Sequence, residues 1–361
     1  MKKETIIAFY LPQYHPTPEN DKWWGKGFTE WTNVGKALPL FKGHYQPKVP
    51  ADLGYYDLRI PEVRCQQVEL AKEAGVDGFC YWHYWFGGEG RQLLNEIIDE
   101  VHATGEPDFP FCLGWANESW KKKQWNVDGF GDETLMEQRY EGVEDYTAHF
   151  NYVLNLFKDA RYIKIENKPL FYVYKPLQHP EMKEFIELWN ELAKKEGFDG
   201  VYFVGKLVFE KDIDVLLSWG FDCVTFDRID GIIKRKSKTY RLFINYFYKI
   251  LNRHIHVRYK NAFPYFTRPE IDCKEYVAPS LIPNWDHSPR SKNKGFLLHD
   301  AKPEYFEEHA KNVLNLVSKK NNKLIFLKSW NEWGEGNYME PDLKYGKGYI
   351  EALRRAINFQ K

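Results

Sequence analysis

Residues 324–336 read LIFLKSWNEWGEG, an apolar run that ends abruptly in polar, aromatic and glycine residues. A continuous apolar run of this kind is typical of a parallel β-strand that helices cover on both faces. Similar runs precede it along the chain, and together they predict eight strands. We expect these strands to cover residues 5–11, 76–82, 109–116, 169–174, 200–205, 221–226, 276–283 and 324–330.

Longer amphipathic stretches separate the apolar runs, as in a chain built of strand–helix–strand units. We expect the main helices to cover residues 61–74, 91–104, 143–159, 180–196, 212–219, 303–320 and 349–359. Strands alternating with helices in this number predict an α/β fold, a (β/α)8 TIM-like barrel. The chain of 361 residues is long enough for one such barrel with insertions, so residues 1–361 are expected to form a single catalytic domain.

One segment, about residues 228–272, interrupts the alternation and is expected to be inserted over the barrel rim. Between Gly231 and Glu270 it carries ten lysines and arginines but one acidic residue, with aromatic residues interleaved. This pattern suits a helical hairpin with a solvated basic face. It also suits a peripheral contact with a membrane, or with a lipid-linked or anionic glycan, through residues 234–268.

The composition excludes several classes of protein. Basic and acidic residues both number 51, so the chain has no net charge with which to bind nucleic acid broadly. The five cysteines are scattered and form no CxxC pair, so no disulfide framework, metal site or other cofactor is expected. No apolar stretch reaches about 18 residues, and the apolar run at the start is too short for a signal peptide. We therefore expect a cytoplasmic protein.

Polar and aromatic residues follow six of the predicted strands. In a (β/α) barrel, binding and catalytic residues gather at the carboxyl ends of the strands, and rings beside polar groups suit the faces of sugars. A structural role stays open for His15, His83, Asn117 and Asp286, because buried polar groups are commonly hydrogen-bonded within the protein. We expect an oligosaccharide or polysaccharide to be bound by Tyr10, Gln13, His15, Trp82, His83, Trp115, Asn117, Glu118, Tyr174, Lys175, Trp285, Asp286, Trp330, Asn331 and Trp333.

Glu332 and Glu335 are the strongest candidates for catalysis. They lie at the end of the last strand beside tryptophans, and Gly334 and Gly336 favour a turn there. A ring that excludes water raises the pKa of a neighbouring carboxyl group, and glycoside cleavage needs one acid and one nucleophile or base. The prediction requires both side chains to face one cavity, to be free of lysine and arginine partners, and to keep one proton near neutral pH.

Five segments resemble the WbsX-type family over nearly the whole chain. They are AFYLPQYHP at 8–16, WWGKGFTEWTNV at 23–34, GVDGFCYWHYWF at 75–86, LGWANESW at 113–120 and SWNEWGEGNYMEP at 329–341. That family occurs in O-antigen and capsule polysaccharide clusters and is often labelled a glycosyltransferase. Its barrel looks like a distant relative of glycoside hydrolase family 99, the endo-α-mannosidases and endo-α-mannanases, on the strength of the barrel and the NEWxEG segment.

The likeness to family 99 implies a mechanism. By matching motif, Glu332 corresponds to the residue that deprotonates the sugar 2-hydroxyl, and Glu335 corresponds to the general acid/base. The implied reaction is retaining hydrolysis through a 1,2-anhydro sugar, which for an α-linkage requires the trans arrangement of α-mannosides. At position 334, where family 99 commonly has histidine, this chain has glycine, so the sugar and its contacts stay open.

Three functions fit these observations. The paired glutamates favour a glycoside hydrolase that acts on bacterial surface polysaccharide or its precursor. The family label favours a glycosyltransferase in O-antigen or capsule biosynthesis, although no GxGxxG follows the first strand, and Asp212 and Asp214 suit the start of a helix. A non-catalytic glycan-binding protein would keep the aromatic residues without needing the paired carboxylates.

Overall fold

The structure is a computed structural model that describes residues 4–88, 90–122, 133–229, 232, 246, 255–292 and 296–359. Its centre is a nearly closed barrel of parallel strands, which confirms the predicted TIM-like fold. In chain order the barrel strands are β1 (Thr5–Tyr10), β2 (Gly78–Trp85), β3 (Phe111–Trp115), β4 (Lys168–Val173), β5 (Tyr202–Leu207), β6 (Cys223–Phe226), β7 (Val277–Ala278), β8 (Ser280–Leu281) and β9 (Leu324–Leu327).

The barrel closes through the seventh predicted strand, which is broken into β7 and β8. The strand order is β7–β6–β5–β4–β3–β2–β1–β9–β8, so β7 pairs with β6 while β8 pairs with β9. Pro279 stands at the break, where it has no N–H to donate, and its carbonyl accepts a hydrogen bond from the Phe326 N–H at 3.1 Å. One short bent run therefore joins the two edges of the sheet.

Helices cover the outside of the barrel. The predicted helix at 61–74 has those bounds in the structure, with Pro61 in its first turn and Gly75 as a left-handed cap. The helix predicted from residue 91 begins later, because Gln92–Leu93 pairs with the end of β2. The α-helices are Pro18–Trp24, Glu30–Gly35, Pro61–Ala74, Glu96–Thr104, Val143–Phe157, Met182–Lys195, Ile213–Trp219, Tyr259–Ala262, Pro269–Asp272, Ser288–Ser291, Pro303–Val317 and Gly348–Asn358.

Aromatic rings fill the barrel below its mouth. Phe9 of β1 stacks on Trp82 of β2 with ring centroids 4.7 Å apart, and it also contacts Tyr172 of β4 and Phe326 of β9. All four belong to the main buried core or pack against it. This layer fills the barrel interior beneath the carboxyl ends of the strands, the end at which (β/α) barrels bind their ligands.

The inserted segment is described only in part. Residues 230–231, 233–245 and 247–254 lie outside the described residues, so the basic helical hairpin and the single domain over 1–361 stay predictions. The described part adds a strand, Ile255–Arg258, which pairs in parallel with Phe296–His299. Tyr259, Phe263 and Phe266 of this part belong to a second buried cluster. Within the described ranges, no helix combines the length and the apolar character that crossing a membrane requires.

Candidate active site

A cleft of about 350 Å³ opens at the carboxyl ends of the barrel strands. Both charged and aromatic side chains line it, which suits a ligand with both hydroxyl groups and apolar faces. The lining residues are Leu11, Trp82, Tyr84, Ala116, Glu118, Trp120, Tyr174, His287, Arg290, Lys328, Glu332, Glu335 and Asn337.

The loop that carries Glu332 and Glu335 is fixed to the segment that follows β1. The Asn331 side chain accepts a hydrogen bond from the Leu11 N–H at 2.8 Å and donates one to the Leu11 carbonyl at 3.0 Å. The Tyr14 hydroxyl donates to the Asn331 carbonyl and accepts from the Trp333 N–H at 3.0 Å. Buried hydrogen bonds of this density hold the two carboxyl groups in place without help from a ligand.

One buried arginine, Arg290, binds three carboxylates. Its Nη2 donates to Glu332 Oε1 at 2.5 Å, and its Nη1 donates to Glu335 Oε1 at 2.9 Å. Its Nε and Nη2 each donate to an oxygen of Glu30 at 3.0 Å. The side chains of Glu30 and Glu332 are 0% and 9% exposed, and that of Glu335 is 20% exposed. One positive charge thus faces three acids, which together carry excess negative charge when all are ionised.

The pKa values follow from this burial and charge. Burial raises the pKa of Glu332 to about 8, with Arg290 opposing the rise and the charges of Glu335 and Glu30 adding to it. Burial disfavours the charge on Arg290, yet the three glutamates hold its pKa well above the ordinary value. Burial therefore favours the protonated form of Glu332 near neutral pH.

The requirement that neither catalytic candidate has a lysine or arginine partner is wrong. Arg290 binds both, from the short helix Ser288–Ser291, 42 residues before Glu332. Nevertheless Glu332 and Glu335 line the same cleft, and burial favours a proton on Glu332. Arg290 therefore links the two carboxyl groups rather than removing them from the cleft.

Gly334, between the two glutamates, is required by the same group of charges. A Cβ on Gly334 would collide with Glu30 Oε1 and come within 2.9 Å of Arg290 Nε. Gly336 adopts a left-handed φ of 57°, and a Cβ there would collide with Lys48 Nζ. Both glycines of the loop are thus explained by close approach, and Gly336 also by its backbone angle.

Five predicted residues line the cleft: Trp82, Glu118, Tyr174, Glu332 and Glu335. Two more lie beside it. Lys175 forms an ion pair with Glu118, and the Trp285 ring centroid is 5.2 Å from Nζ of the cleft residue Lys328.

Tyr10, His83 and Trp115 do not line the cleft as predicted, because their side chains face the helices. The Tyr10 hydroxyl donates to Gln67, His83 Nε2 lies 2.8 Å from His149 Nε2, and Trp115 Nε1 donates to a backbone carbonyl. Successive side chains of a strand point to opposite faces. Since Trp82 points into the barrel, its neighbour His83 must point out.

Four other predicted residues hold the loops together. Asn117 bonds to the backbone N–H and carbonyl of Lys175 at 2.7 and 2.9 Å, and Asn331 clamps Leu11. Trp330 and Trp333 are fully buried beneath the catalytic loop, and Trp333 Nε1 donates to Glu340 at 2.6 Å. Their roles are structural in this conformation.

Gln13, His15 and Asp286 also lie outside the cleft. Gln13 and His15 are fully buried; the side-chain polar atoms of Gln13 have no hydrogen-bond partner among the described residues, and His15 Nε2 lies 3.6 Å from Glu96 Oε2. Asp286 lines a separate cavity of about 50 Å³, and its backbone N–H donates to the Glu335 carbonyl at 2.6 Å. Although burial works against its charge, hydrogen bonding to His44 and the nearby Lys48 charge hold the Asp286 pKa well below its ordinary value.

Sequence reasoning missed several cleft residues, of which Arg290, Lys328 and Asn337 matter most. Asn337 is fully buried, lies opposite Glu332 in a short hairpin, and has no partner for either amide atom among the described residues. Its place in the NEWGEGN segment was a usable signal. Arg290 carried none, because its partners are distant in sequence.

Comparison with known proteins identifies the family. The family model described as Glycosyltransferase WbsX matches residues 6–353. The chain belongs to the WbsX family. This WbsX-family chain is 36% identical over 373 residues to the uncharacterized protein WxcX of Xanthomonas campestris pv. campestris, in two strains. The match covers 98% of this chain and 49% of WxcX, so the chain spans about half the length of the curated relatives it matches.

Solved structures share the fold of this WbsX-family protein. One is the GH99 endo-alpha-mannosidase from Bacteroides thetaiotaomicron, with a TM-score of 0.56 and 15% identity, covering 100% of this chain and 97% of that one. Another is described as a glycoside hydrolase-like protein, with a TM-score of 0.61 and 15% identity, covering 99% and 94%. The shared architecture is that of glycosidase barrels, so this chain has the fold of a carbohydrate-active enzyme.

Proposed function

We propose that this WbsX-family protein is a retaining glycoside hydrolase that acts on bacterial surface polysaccharide or its precursor. The observation that carries the proposal is that Glu332 and Glu335 line one cleft and contact one guanidinium. The GH99 endo-alpha-mannosidase of like fold supports an α-mannoside-like linkage as the substrate. Trp82 and Tyr174 offer ring faces on which a sugar can stack.

In the first step, the Glu332 carboxylate removes the proton of the sugar 2-hydroxyl, and O2 forms a bond to C1. As the glycosidic C1–O bond breaks, Glu335 gives its proton to the departing oxygen. In the second step, Glu335 takes a proton from water, and the water oxygen bonds to C1. The C1–O2 bond of the 1,2-anhydro sugar breaks, and Glu332 returns its proton to O2. Two inversions at C1 retain the anomeric configuration.

The proposed chemistry uses the state of the pair in which Glu335 holds the proton. Burial favours the proton on Glu332, whose pKa is raised to about 8. Both states carry the same total charge and differ by one proton position on a pair that shares Arg290. We propose that the sugar 2-hydroxyl, by donating a hydrogen bond to Glu332, shifts this proton toward Glu335.

The test is to incubate the protein with O-antigen or capsule polysaccharide from its own source and to follow the first product by NMR. We expect new reducing ends in the configuration of the cleaved linkage, and a loss of at least about 100-fold in Glu335→Gln and Glu332→Gln. Glu351→Gln, on the exposed face of the helix Gly348–Asn358, is the matched control and should keep full activity. An inverted product, or full activity in Glu335→Gln, would contradict the proposal.

The family description favours a second candidate, a glycosyltransferase in polysaccharide biosynthesis. The same carboxyl groups would then activate a sugar hydroxyl in place of water. A nucleotide sugar that raises the melting temperature and is consumed only with an acceptor glycan would support transfer. Glycan binding with neither hydrolysis nor transfer from a nucleotide sugar would support a non-catalytic role. For either enzyme, we propose that it acts in the cytoplasm and that residues 234–268 contact a lipid-linked glycan.

A further inference from the structure

Lys328, in the wall of the cleft, shares one carboxylate with a second lysine, Lys206. Lys206 Nζ and Lys328 Nζ each lie 2.8 Å from the same oxygen, Asp227 Oδ2. Lys328 lines the cleft, and Lys206 Nζ lies 4.2 Å from the ring centroid of Tyr174, which also lines it. Each lysine side chain is 13% exposed; Lys328 reaches the cleft directly, and Lys206 lies beside its lining residue Tyr174.

The charges of this group do not balance. Two ammonium groups face one carboxylate, which leaves one positive charge in excess. Asp227 raises the pKa of Lys328 despite the opposing effect of burial, and the two lysines hold the pKa of Asp227 well below its ordinary value although burial raises it. The nearby Lys175–Glu118 pair is neutral and contributes nothing to the balance. The cleft therefore has a negative end, formed by the three glutamates around Arg290. Its positive end is formed by the two lysines around Asp227.

The two ammonium groups also have hydrogen-bond donors to spare. Each carries three N–H donors, of which Asp227 takes one from each. In the described part of the chain, no second protein acceptor lies within hydrogen-bonding distance of either Nζ. The other close groups are the ring faces of Tyr174 and Trp285. A half-buried excess charge with unused donors is stabilised by an anion that accepts from both.

We propose that Lys206 and Lys328 form a subsite for an anionic group on the glycan, the carboxylate of a uronic acid residue or a phosphate ester. This inference rests on the proposed function, because it assigns a substrate class to the same cleft. An anionic sugar would accept hydrogen bonds from the two lysines, whereas a neutral mannoside would leave their excess charge uncompensated. The substrate is then an acidic polysaccharide, and the anion lies on a sugar bound in the cleft that Lys328 and Glu335 both line.

The test compares two non-hydrolysable probes by calorimetry: an S-linked α-mannuronic acid disaccharide and the S-linked α-mannose disaccharide that differs only at C6. Because the sulfur linkage resists cleavage, binding is measured whether or not the protein is a hydrolase. We expect the acidic probe to bind about 10-fold or more tightly. Lys328→Met and Lys206→Met should abolish the preference, while Lys328→Arg should keep it. Lys211→Met, an exposed lysine near the end of β5, carries the same charge change and should also keep it.

A disaccharide with a 6-phosphate is the third probe. If it binds more tightly than the uronic acid probe, and loses that advantage in Lys328→Met, phosphate is the anion and the subsite stands. Equal affinity for acidic and neutral probes, including no binding of any of them at millimolar concentration, would overturn the inference. So would a preference for the acidic probe that survives in Lys328→Met and Lys206→Met. Since Lys→Met leaves one lysine against one aspartate, both variants are expected to fold.

Discussion

Glu30 occupies the space that any side chain at position 334 would need. A Cβ built on Gly334 collides with Glu30 Oε1 and also comes within 2.9 Å of Arg290 Nε. Family 99, which this segment resembles, commonly has a histidine at the matching position. In this chain a buried Glu30–Arg290 ion pair stands there instead, directly behind the two glutamates. The glycine and the ion pair are therefore one structural feature.

We predict that Gly334→Ala destabilises the protein by about 1–3 kcal/mol, because the methyl group overpacks a site that has no space. It should also displace Arg290 and lower the activity. The backbone angle of Gly334 is not the obstacle, so collision alone is tested. Denaturant unfolding measures the effect, with Gly35→Ala as the control, since a Cβ there meets nothing within 4 Å. Equal stability of Gly334→Ala and wild type would show that Glu30 can move aside.

Arg290→Met should be among the most damaging single substitutions. It leaves three carboxyl groups buried together without a counter-charge, at a cost of about 3–5 kcal/mol near pH 8. The cost should be smaller near pH 5, because the carboxyl groups then accept protons. Thermal unfolding at both pH values measures it. Arg355→Met, which removes an exposed ion pair with Glu307, should cost less than about 1 kcal/mol. A loss in Arg290→Met that does not depend on pH would argue against the charge explanation.

The barrel could be predicted from the sequence because its strands are buried on both faces and appear as continuous apolar runs. The break at Pro279 changed the strand count without changing the topology. Strand ends also identified the position of Glu332 and Glu335. The sequence could not show to which face of its strand each side chain points, and the adjacent residues Trp82 and His83 point to opposite faces. Nor could it supply the partners of the glutamates, because Arg290 and Glu30 reach them only through the fold.

The contribution of Glu332 to the stability of the fold should fall as the pH rises from 4.5 to about 8. The pKa of Glu332 is about 8 in the folded protein against an ordinary 4.5, so the folded state binds more protons than the unfolded state across this range. Glu332→Gln removes the titrating group. We expect it to match wild type near pH 5 and to be more stable near pH 8 by about 2–4 kcal/mol. Urea unfolding at the two pH values decides this; a variant less stable than wild type at pH 8 would contradict it.

The rate of hydrolysis should fall above about pH 8. The proposed first step needs one proton on the glutamate pair, and that proton is lost as the pH passes the raised pKa of Glu332, about 8. A profile of kcat/KM between pH 5 and 10 measures the descending limb. An aryl glycoside whose leaving group departs without protonation should not show it. If kcat/KM for the natural linkage instead rises through pH 8, the pair has to be fully ionised, and the assigned acid role of Glu335 is wrong.

Asn337 should bind substrate rather than support the fold. It is fully buried in the wall of the cleft, and neither its Oδ1 nor its Nδ2 has a hydrogen-bond partner among the described residues. A buried amide in this state costs free energy that a bound hydroxyl group, donating to Oδ1 and accepting from Nδ2, would recover. We expect Asn337→Ala to leave the free energy of unfolding unchanged or higher, and to raise KM by about 10-fold with a smaller change in kcat. Asn331→Ala is the contrasting variant, since that amide is satisfied by Leu11 and its loss should destabilise the fold. If Asn337→Ala unfolds more easily and binds substrate normally, the amide is part of the scaffold, and its partner is ordered water rather than sugar.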